Sequence, residues 1–248
     1  MKPRLELPDV TLVMMDGTCP ELARLAVQDC VDVASFGDAV IFSDTPIAVD
    51  GVRCVEVPKW RSLKDVVRFE WLDLPFRIDT PHLLFCQWDG WIVDPEMWSD
   101  EFLQYDYVGA PWWYDDGLNV GNGCGLRSIK LMRFLAKHQD RFPVPSNEDD
   151  GLCRGYRPAL EREGFRWAPE QLASRFAFEC TRPSPRSRHF MFHDSFNFPF
   201  VLTPDRLADR LRLMLENPYI LAGRKIAELR AGRRPLILER LAAKPEVA

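Results

Sequence analysis

The chain of 248 residues has little of what would assign it quickly. Its seven cysteines are odd in number, and none stands in a C-x-x-C pair or beside a histidine at zinc spacing. Neither a disulfide framework nor a zinc module is expected, and Cys30, Cys54 and Cys86 read as small buried hydrophobes in a reducing compartment. Apolar runs are short, none reaching the ~18 residues of a membrane span. Residues 1–9 lack the apolar stretch of a secretory leader, so a cytoplasmic location is expected. There is no G-x-G-x-x-G after an early strand and no G-x-x-x-x-G-K-[ST], which removes the dinucleotide fingerprint and the P-loop. A G-x-S-x-G elbow is missing as well, and no cysteine has a convincing histidine partner, so serine or cysteine hydrolysis is disfavoured. Positive charge is not in excess: 32 Lys and Arg face 37 Asp and Glu, net −5, and a whole-domain nucleic-acid footprint is not expected.

Hydrophobic residues make up 46% of the chain, enough for the core of one large domain. Aromatics crowd residues 88–114 and 176–200, where core packing is the default and a sugar-stacking surface the alternative. Val10 to Met15, Ala39 to Phe42, Val52 to Val57 and His82 to Gln87 are apolar runs of strand length. Between them lie helical patterns, one begun by Pro20 and one capped by Ser62. This rhythm predicts an α/β fold, a mostly parallel central sheet with helices on both faces. Residues 106–125 read as an irregular, site-forming loop, Ile129 to His138 as a helix, and Glu148 to Glu163 as a helix interrupted near Pro158. Thr203-Pro204 starts a C-terminal helix with Leu207, Leu211 and Leu215 on one face. The expected division is a domain over 1–200 and a helical extension over 201–248. Residues 222–248 hold seven cations and three acids, net +4, leaving −9 for the rest. Such a tail is a solvated helix face, or a contact to an anionic membrane surface or a second copy of the chain.

Four short segments carry chemistry. Asp89, in Gln87-Trp88-Asp89-Gly90-Trp91, stands at a strand's carboxyl end, where open α/β sheets bind ligands. A carboxylate there can hold a divalent cation beside a diphosphate, or be a simple turn residue. Asn147-Glu148-Asp149-Asp150 opens a helix, where acids cap for reasons unrelated to catalysis. Three acids in a row also repel, and burial would raise one of them towards a useful base, so Asp149 or Asp150 can accept a proton from a hydroxyl. His193, after Phe190-Met191-Phe192, can ligate a metal or serve as a core or surface residue. Glycines in 120–128 suit backbone that bends close to a substrate. Arg127 can pair with phosphate or carboxylate there, or with Glu148 or Asp150.

The order Q-W-D-G-W, Y-D-Y-V-G-A-P-W-W, N-V-G-N-G, L-R-S, E-D-D and F-H resembles an uncharacterised bacterial glycosyltransferase-like family, itself similar to GT-A-fold nucleotide-diphospho-sugar transferases. The likeness spans roughly residues 7–198 and is most specific over 88–113. It implies a GT-A-like domain and an inverting, hexosyltransferase-like enzyme using Mn²⁺ or Mg²⁺. Carried over by position, Asp89 and His193 would be the metal ligands, with Gln87 where the first Asp of an Asp-x-Asp motif would stand. Asp149 would be the base, and Glu148 and Asp150 would contact the acceptor. Met15, Asp16, Ser43, Asp44, Gln87 and Trp88 would face the nucleotide sugar. Asn122, Gly123, Arg127, Trp112 and Trp113 would face the acceptor, a glycan or lipid-linked sugar in surface-polysaccharide assembly. Two other classes stay open: a non-catalytic carbohydrate or nucleotide-sugar binding module, and a metal-dependent phosphate-ester hydrolase or nucleotidyltransferase.

Overall fold

The computed structural model describes residues 4–179 and 187–217. Elements run in the order β1 (Leu5–Asp16), α1 (Pro20–Val33), β2 (Ala34–Ser43), β3 (Arg53–Glu56), α2 (Leu63–Leu72), β4 (His82–Cys86), β5 (Tyr107–Pro111), β6 (Val120–Ser128), α3 (Ile129–Lys137), α4 (Glu148–Asp150), α5 (Arg157–Arg162), α6 (Glu170–Phe176), β7 (Ala177–Phe178), β8 (Met191–Phe192), α7 (Phe198–Val201) and α8 (Pro204–Glu216). Six strands form one sheet in the order β3-β2-β1-β4-β6-β5. The strands β3, β2, β1 and β4 are parallel, while β6 runs antiparallel to both β4 and β5. This is the α/β architecture with a mostly parallel central sheet expected from the sequence.

The parallel part follows from composition. The apolar runs in β1 and β4 are buried on both faces, and apolar helix faces cover them. One core layer joins the sheet to α1 through Leu22, Ala26 and Cys30, and the other joins it to α2 and α3 through Trp71, Leu131 and Leu135. Ser62 caps α2, its hydroxyl accepting from the Asp65 N–H.

Four expectations need correction, the first being Cys54, which is exposed rather than buried because β3 is the edge strand of the sheet. Residues 106–125 are not one loop: β5 and the start of β6 occupy much of the span, only 112–119 are irregular, and all nine residues of β6 are buried. Its glycines serve close packing rather than bending, because a Cβ on Gly121 would lie 2.3 Å from the Trp112 ring and one on Gly109 would lie 2.6 Å from the Gly121 carbonyl. The helix expected from Glu148 to Glu163 breaks into α4, a π-helical turn over Gly151–Gly155 and α5. On α8 the buried face is Arg210, Leu211 and Met214, whereas Leu215 is exposed. This helix docks on the α/β body: Arg210 donates to the Leu22 carbonyl at 3.2 Å and to Asp29 at 2.8 Å, and lies 4.5 Å from the Trp91 ring centre. The domain boundary expected after residue 200 falls inside α7, and the basic tail lies outside the described residues.

Candidate functional site

Beyond the carboxyl ends of β1 and β4 opens a cavity of about 590 Å³. Met15 and Asp16 reach it from β1, Gln87 and Trp88 from the end of β4, and Asn147, Glu148 and Asp149 from the start of α4; Glu70 and His193 line it too, with residues 59–63 along one edge. Parallel strands all point their carboxyl ends one way, which is why residues distant in sequence meet here.

Asp89 and His193 meet through a chain of backbone contacts. Gln87 and Gly90 exchange two backbone hydrogen bonds, at 2.9 and 3.0 Å, closing a tight hairpin with Trp88 and Asp89 at its tip. Gly90 lies so close to β8 that a Cβ would sit 2.8 Å from the Phe192 carbonyl and 2.3 Å from Cys124 Sγ. The residue after β8 is His193, and its Nε2 lies 3.7 Å from Asp89 Oδ1 and 3.2 Å from Gln87 Oε1. On the other side of the ring, Nδ1 is 2.7 Å from Glu179 Oε1. Burial disfavours the imidazolium, but the hydrogen bond and charge of Glu179 outweigh it, helped by Asp89 and Asp194, and the pKa is pushed up to about 10.

Glu179 was not foreseen. It follows the two-residue β7, whose parallel pairing with β8 sets Phe178 opposite Phe192 and so brings the next residues, Glu179 and His193, together. Its second oxygen accepts from Trp112 Nε1 at 2.7 Å. The only sequence signal was an acid ending the run Phe176-Ala177-Phe178, too short to stand out as a strand.

The acidic cluster divides. Asp149 faces the cavity, and its Oδ1 is buried without a hydrogen-bond partner. Its pKa is raised, first by burial and then by Glu179, against the opposing hydrogen bond from Glu148. Glu148 and Glu70 both pair with Arg127, which is fully buried and stacks 4.2 Å from the Phe85 ring centre. Burial raises the pKa of both glutamates as well, because one guanidinium cannot compensate three buried carboxyls. Asp150 is exposed and does not line the cavity; its backbone N–H donates to the Asn147 side chain at 3.1 Å.

Donor-side and acceptor-side residues divide likewise. Met15, Asp16, Gln87 and Trp88 line the cavity. Asp16 Oδ1 accepts from the Cys19 N–H at 2.9 Å, just before α1, whereas Oδ2 is buried without a partner, and burial raises the pKa. Ser43 and Asp44 sit beside Asp16 at the end of β2 but do not line the cavity. Nor do Asn122, Gly123, Arg127, Trp112 or Trp113. Arg127 is corrected from substrate contact to buried ion pair, the Glu148 alternative being the one observed. Trp112 is buried and spends its indole N–H on Glu179, so it offers no free face for a sugar. Gly123 packs against Gln87, where a Cβ would lie 2.3 Å from Nε2. Asn122 is buried with φ +140°, and the Tyr107 hydroxyl bridges its backbone, donating to the carbonyl at 2.6 Å and accepting from the N–H at 3.1 Å.

Gln87 Oε1 and Asp89 Oδ1 both lie within 3.7 Å of His193 Nε2, which sets two oxygens beside one ring nitrogen. This set fits a divalent cation once Nε2 gives up its proton, and Glu179 on Nδ1 is the orienting partner such a ligand uses. Among the described residues no three His, Cys, Asp or Glu side chains cluster to hold a metal; at this site the third donor is glutamine.

Residues 71–189 match a family described as protein of unknown function, DUF5672. The match contains the Gln87, Gly121 and Asn147 segments and stops short of His193. No curated protein matches the chain. Among solved structures, the apo form of the glycosyltransferase GlyE of Streptococcus pneumoniae TIGR4 is 8% identical with a TM-score of 0.46, over 86% of this chain and 64% of that one. Glucosyl-3-phosphoglycerate synthase of Mycobacterium tuberculosis, in complex with Mn²⁺, UDP and phosphoglyceric acid, is 10% identical with a TM-score of 0.35, over 55% and 66%. An active-site mutant of LgtC is 12% identical with a TM-score of 0.45, over 88% and 99%. The chain thus spans slightly less than two thirds of the first two. No helix among the described residues is long and apolar enough to cross a membrane.

Proposed function

We propose that the protein transfers a sugar from a nucleotide-diphosphate donor to a hydroxyl acceptor, with inversion, in glycan or surface-polysaccharide assembly. The observation that carries this reading is the cavity at the strand ends, which Asp149, with one carboxylate oxygen unpartnered, lines together with Gln87 and His193; Asp89 does not line it but lies 3.7 Å from His193 Nε2. A buried carboxyl with a raised pKa is a stronger base than an ordinary one, which suits proton removal from an alcohol.

In the proposed single displacement Asp149 takes the acceptor O–H proton. The oxygen forms a bond to the anomeric carbon as the bond from that carbon to the diphosphate oxygen breaks, and nucleoside diphosphate leaves. Met15 and Asp16 would hold the nucleoside, the free Asp16 oxygen accepting a hydrogen bond from it. Gln87, Asp89 and His193 would hold Mn²⁺ or Mg²⁺, which when bound supplies positive charge to the leaving diphosphate. Glu179 keeps the His193 ring turned towards Asp89, and Arg127 keeps Glu148, and with it Asp149, at the cavity wall.

Asp149→Asn is expected to lower transfer roughly 10²–10⁴-fold while leaving donor binding intact; full turnover in that variant would remove Asp149 as the base. The donor is sought by thermal stabilisation against a panel of nucleotide-diphosphate sugars, with and without Mn²⁺. A shift that needs both and disappears in Asp89→Ala supports the site. Glutamine at position 87 favours a second reading, a non-catalytic nucleotide-sugar binding module, and metal-independent binding without turnover would select it. Release of nucleoside monophosphate instead of diphosphate would select a phosphate-ester hydrolase or nucleotidyltransferase.

A further inference from the structure

The segment between β3 and α2 forms one lip of the cavity: Lys59, Trp60, Arg61, Ser62 and Leu63 all line it. Lys59, Arg61, Leu63 and Lys64 are exposed, and Trp60 is half-buried. Leu63 is 62% exposed, the highest value among large hydrophobics in the described residues. Three cations within six residues therefore flank an apolar tip. One acid, Asp65, lies beside them, its carboxylate accepting from the Arg61 N–H at 2.9 Å and the Ser62 hydroxyl at 3.1 Å. A second, Asp44, stands 4.0 Å from Lys59, whose side chain stays 70% exposed. The lip is anchored: the Trp60 ring lies 5.4 Å from Phe69 and packs against Gly17, where a Cβ would come within 3.2 Å of it.

An exposed leucine and a half-buried tryptophan set among lysine and arginine suit the boundary between lipid headgroups and acyl chains. A molecule of net −5 is repelled by an anionic leaflet unless a positive patch faces it. We propose that residues 59–64 dock this protein on an anionic lipid surface, with the cavity mouth turned towards the leaflet. Docking does not depend on the transferase reading. Its corollary does: if that reading holds, an acceptor hydroxyl carried on a lipid would be presented directly to Asp149.

The test is co-sedimentation of the full chain with phosphatidylcholine vesicles containing about 30 mol% phosphatidylglycerol, against phosphatidylcholine alone. The full chain should bind only the anionic vesicles and be released by about 0.5 M NaCl. Each cation near such a surface is worth roughly fivefold in partitioning, so Lys59→Ala/Arg61→Ala/Lys64→Ala should lose on the order of a hundredfold. Leu63→Ala should lose several-fold, and Arg233→Ala/Arg234→Ala in the basic tail much less than the triple variant. All these positions are exposed or lie in the tail, and unchanged thermal melts would confirm folding. Sedimentation of the triple variant equal to the parent, or no binding by the parent, overturns the proposal. So does a triple variant that keeps vesicle binding but loses stabilisation by nucleoside diphosphate, since the lip would then be a phosphate clamp. Asp149→Asn should bind vesicles like the parent, so failure of the transferase reading is separately visible.

Discussion

Asp149 and Arg127 show how single residues in this chain take roles from their surroundings. The neighbours Glu148, Asp149 and Asp150 are alike in sequence, yet one is bound to Arg127, one is aimed into the cavity and one is exposed. Backbone rotation at the start of α4 separates them, and no composition argument could. Arg127 is placed between Glu70 and Glu148 with no access to water. Arg127→Met should cost about 3–5 kcal/mol in urea denaturation, because two buried carboxyls lose their counter-charge. The double change Glu70→Gln with Arg127→Met should recover part of that loss. If Arg127→Met proves neutral, the ion pair is not what holds α4 in place.

At the scale of elements, the site depends on two dockings. The hairpin at Gln87–Gly90 lies on β8 because Gly90 has no side chain. Gly90→Ala should destabilise by ~1–3 kcal/mol, since its Cβ meets the Phe192 carbonyl at 2.8 Å, and that backbone can yield only by moving β8. The same shift would separate Asp89 from His193, so any stabilisation of the protein by Mn²⁺ with a donor should weaken together with the melting temperature. The second docking is α8 on α1. Arg210 is 2% exposed, and burial lowers its pKa to about 10 although Asp29 opposes the fall. Arg210→Met should cost about 2–3 kcal/mol by removing charged hydrogen bonds to Asp29 and Leu22. Faster hydrogen exchange confined to 204–216 would show that α8 detaches; uniform exchange across the sheet would show instead that it belongs to the cooperative core.

For the whole molecule, pH links the cavity to stability. Glu70, Glu148 and Asp149 all have pKa values raised in the fold, chiefly by burial. Between the ordinary carboxylate range and these raised values the folded chain holds more protons than the unfolded one. Their contribution is fully present below that range and is lost as pH rises through the folded values. Surface acids act in reverse: Asp38, whose pKa the hydrogen bond from Arg53 lowers, contributes above the ordinary range and loses it as pH falls. Stability from the buried cluster is therefore expected to decline as pH rises above the ordinary carboxylate range. Asp149→Asn should flatten that decline and raise the urea midpoint at neutral pH. A variant less stable than the parent at neutral pH would show that Asp149 is held by a compensating contact.

Periodicity and composition alone determined the parallel half of the sheet, the α1, α2 and α3 helices and the position of Asp89 at a strand end, since buried strands and amphipathic helices impose local patterns that need no partner to be recognised. They also placed Asp149 and His193 among the candidates, because acids in a row and a histidine after an apolar run are unusual locally. Only the tertiary structure decided which candidates meet. Gly121 and Gly109 look like loop residues until the Trp112 ring and the facing strand occupy the space of their missing side chains. Glu179 gains its role from a two-residue strand whose pairing depends entirely on β8. Arg127, read as a substrate contact, is buried because Glu70, 57 residues away on α2, faces it across the same layer. Contacts of that range are set by how layers stack, and a linear pattern carries no record of what will lie opposite.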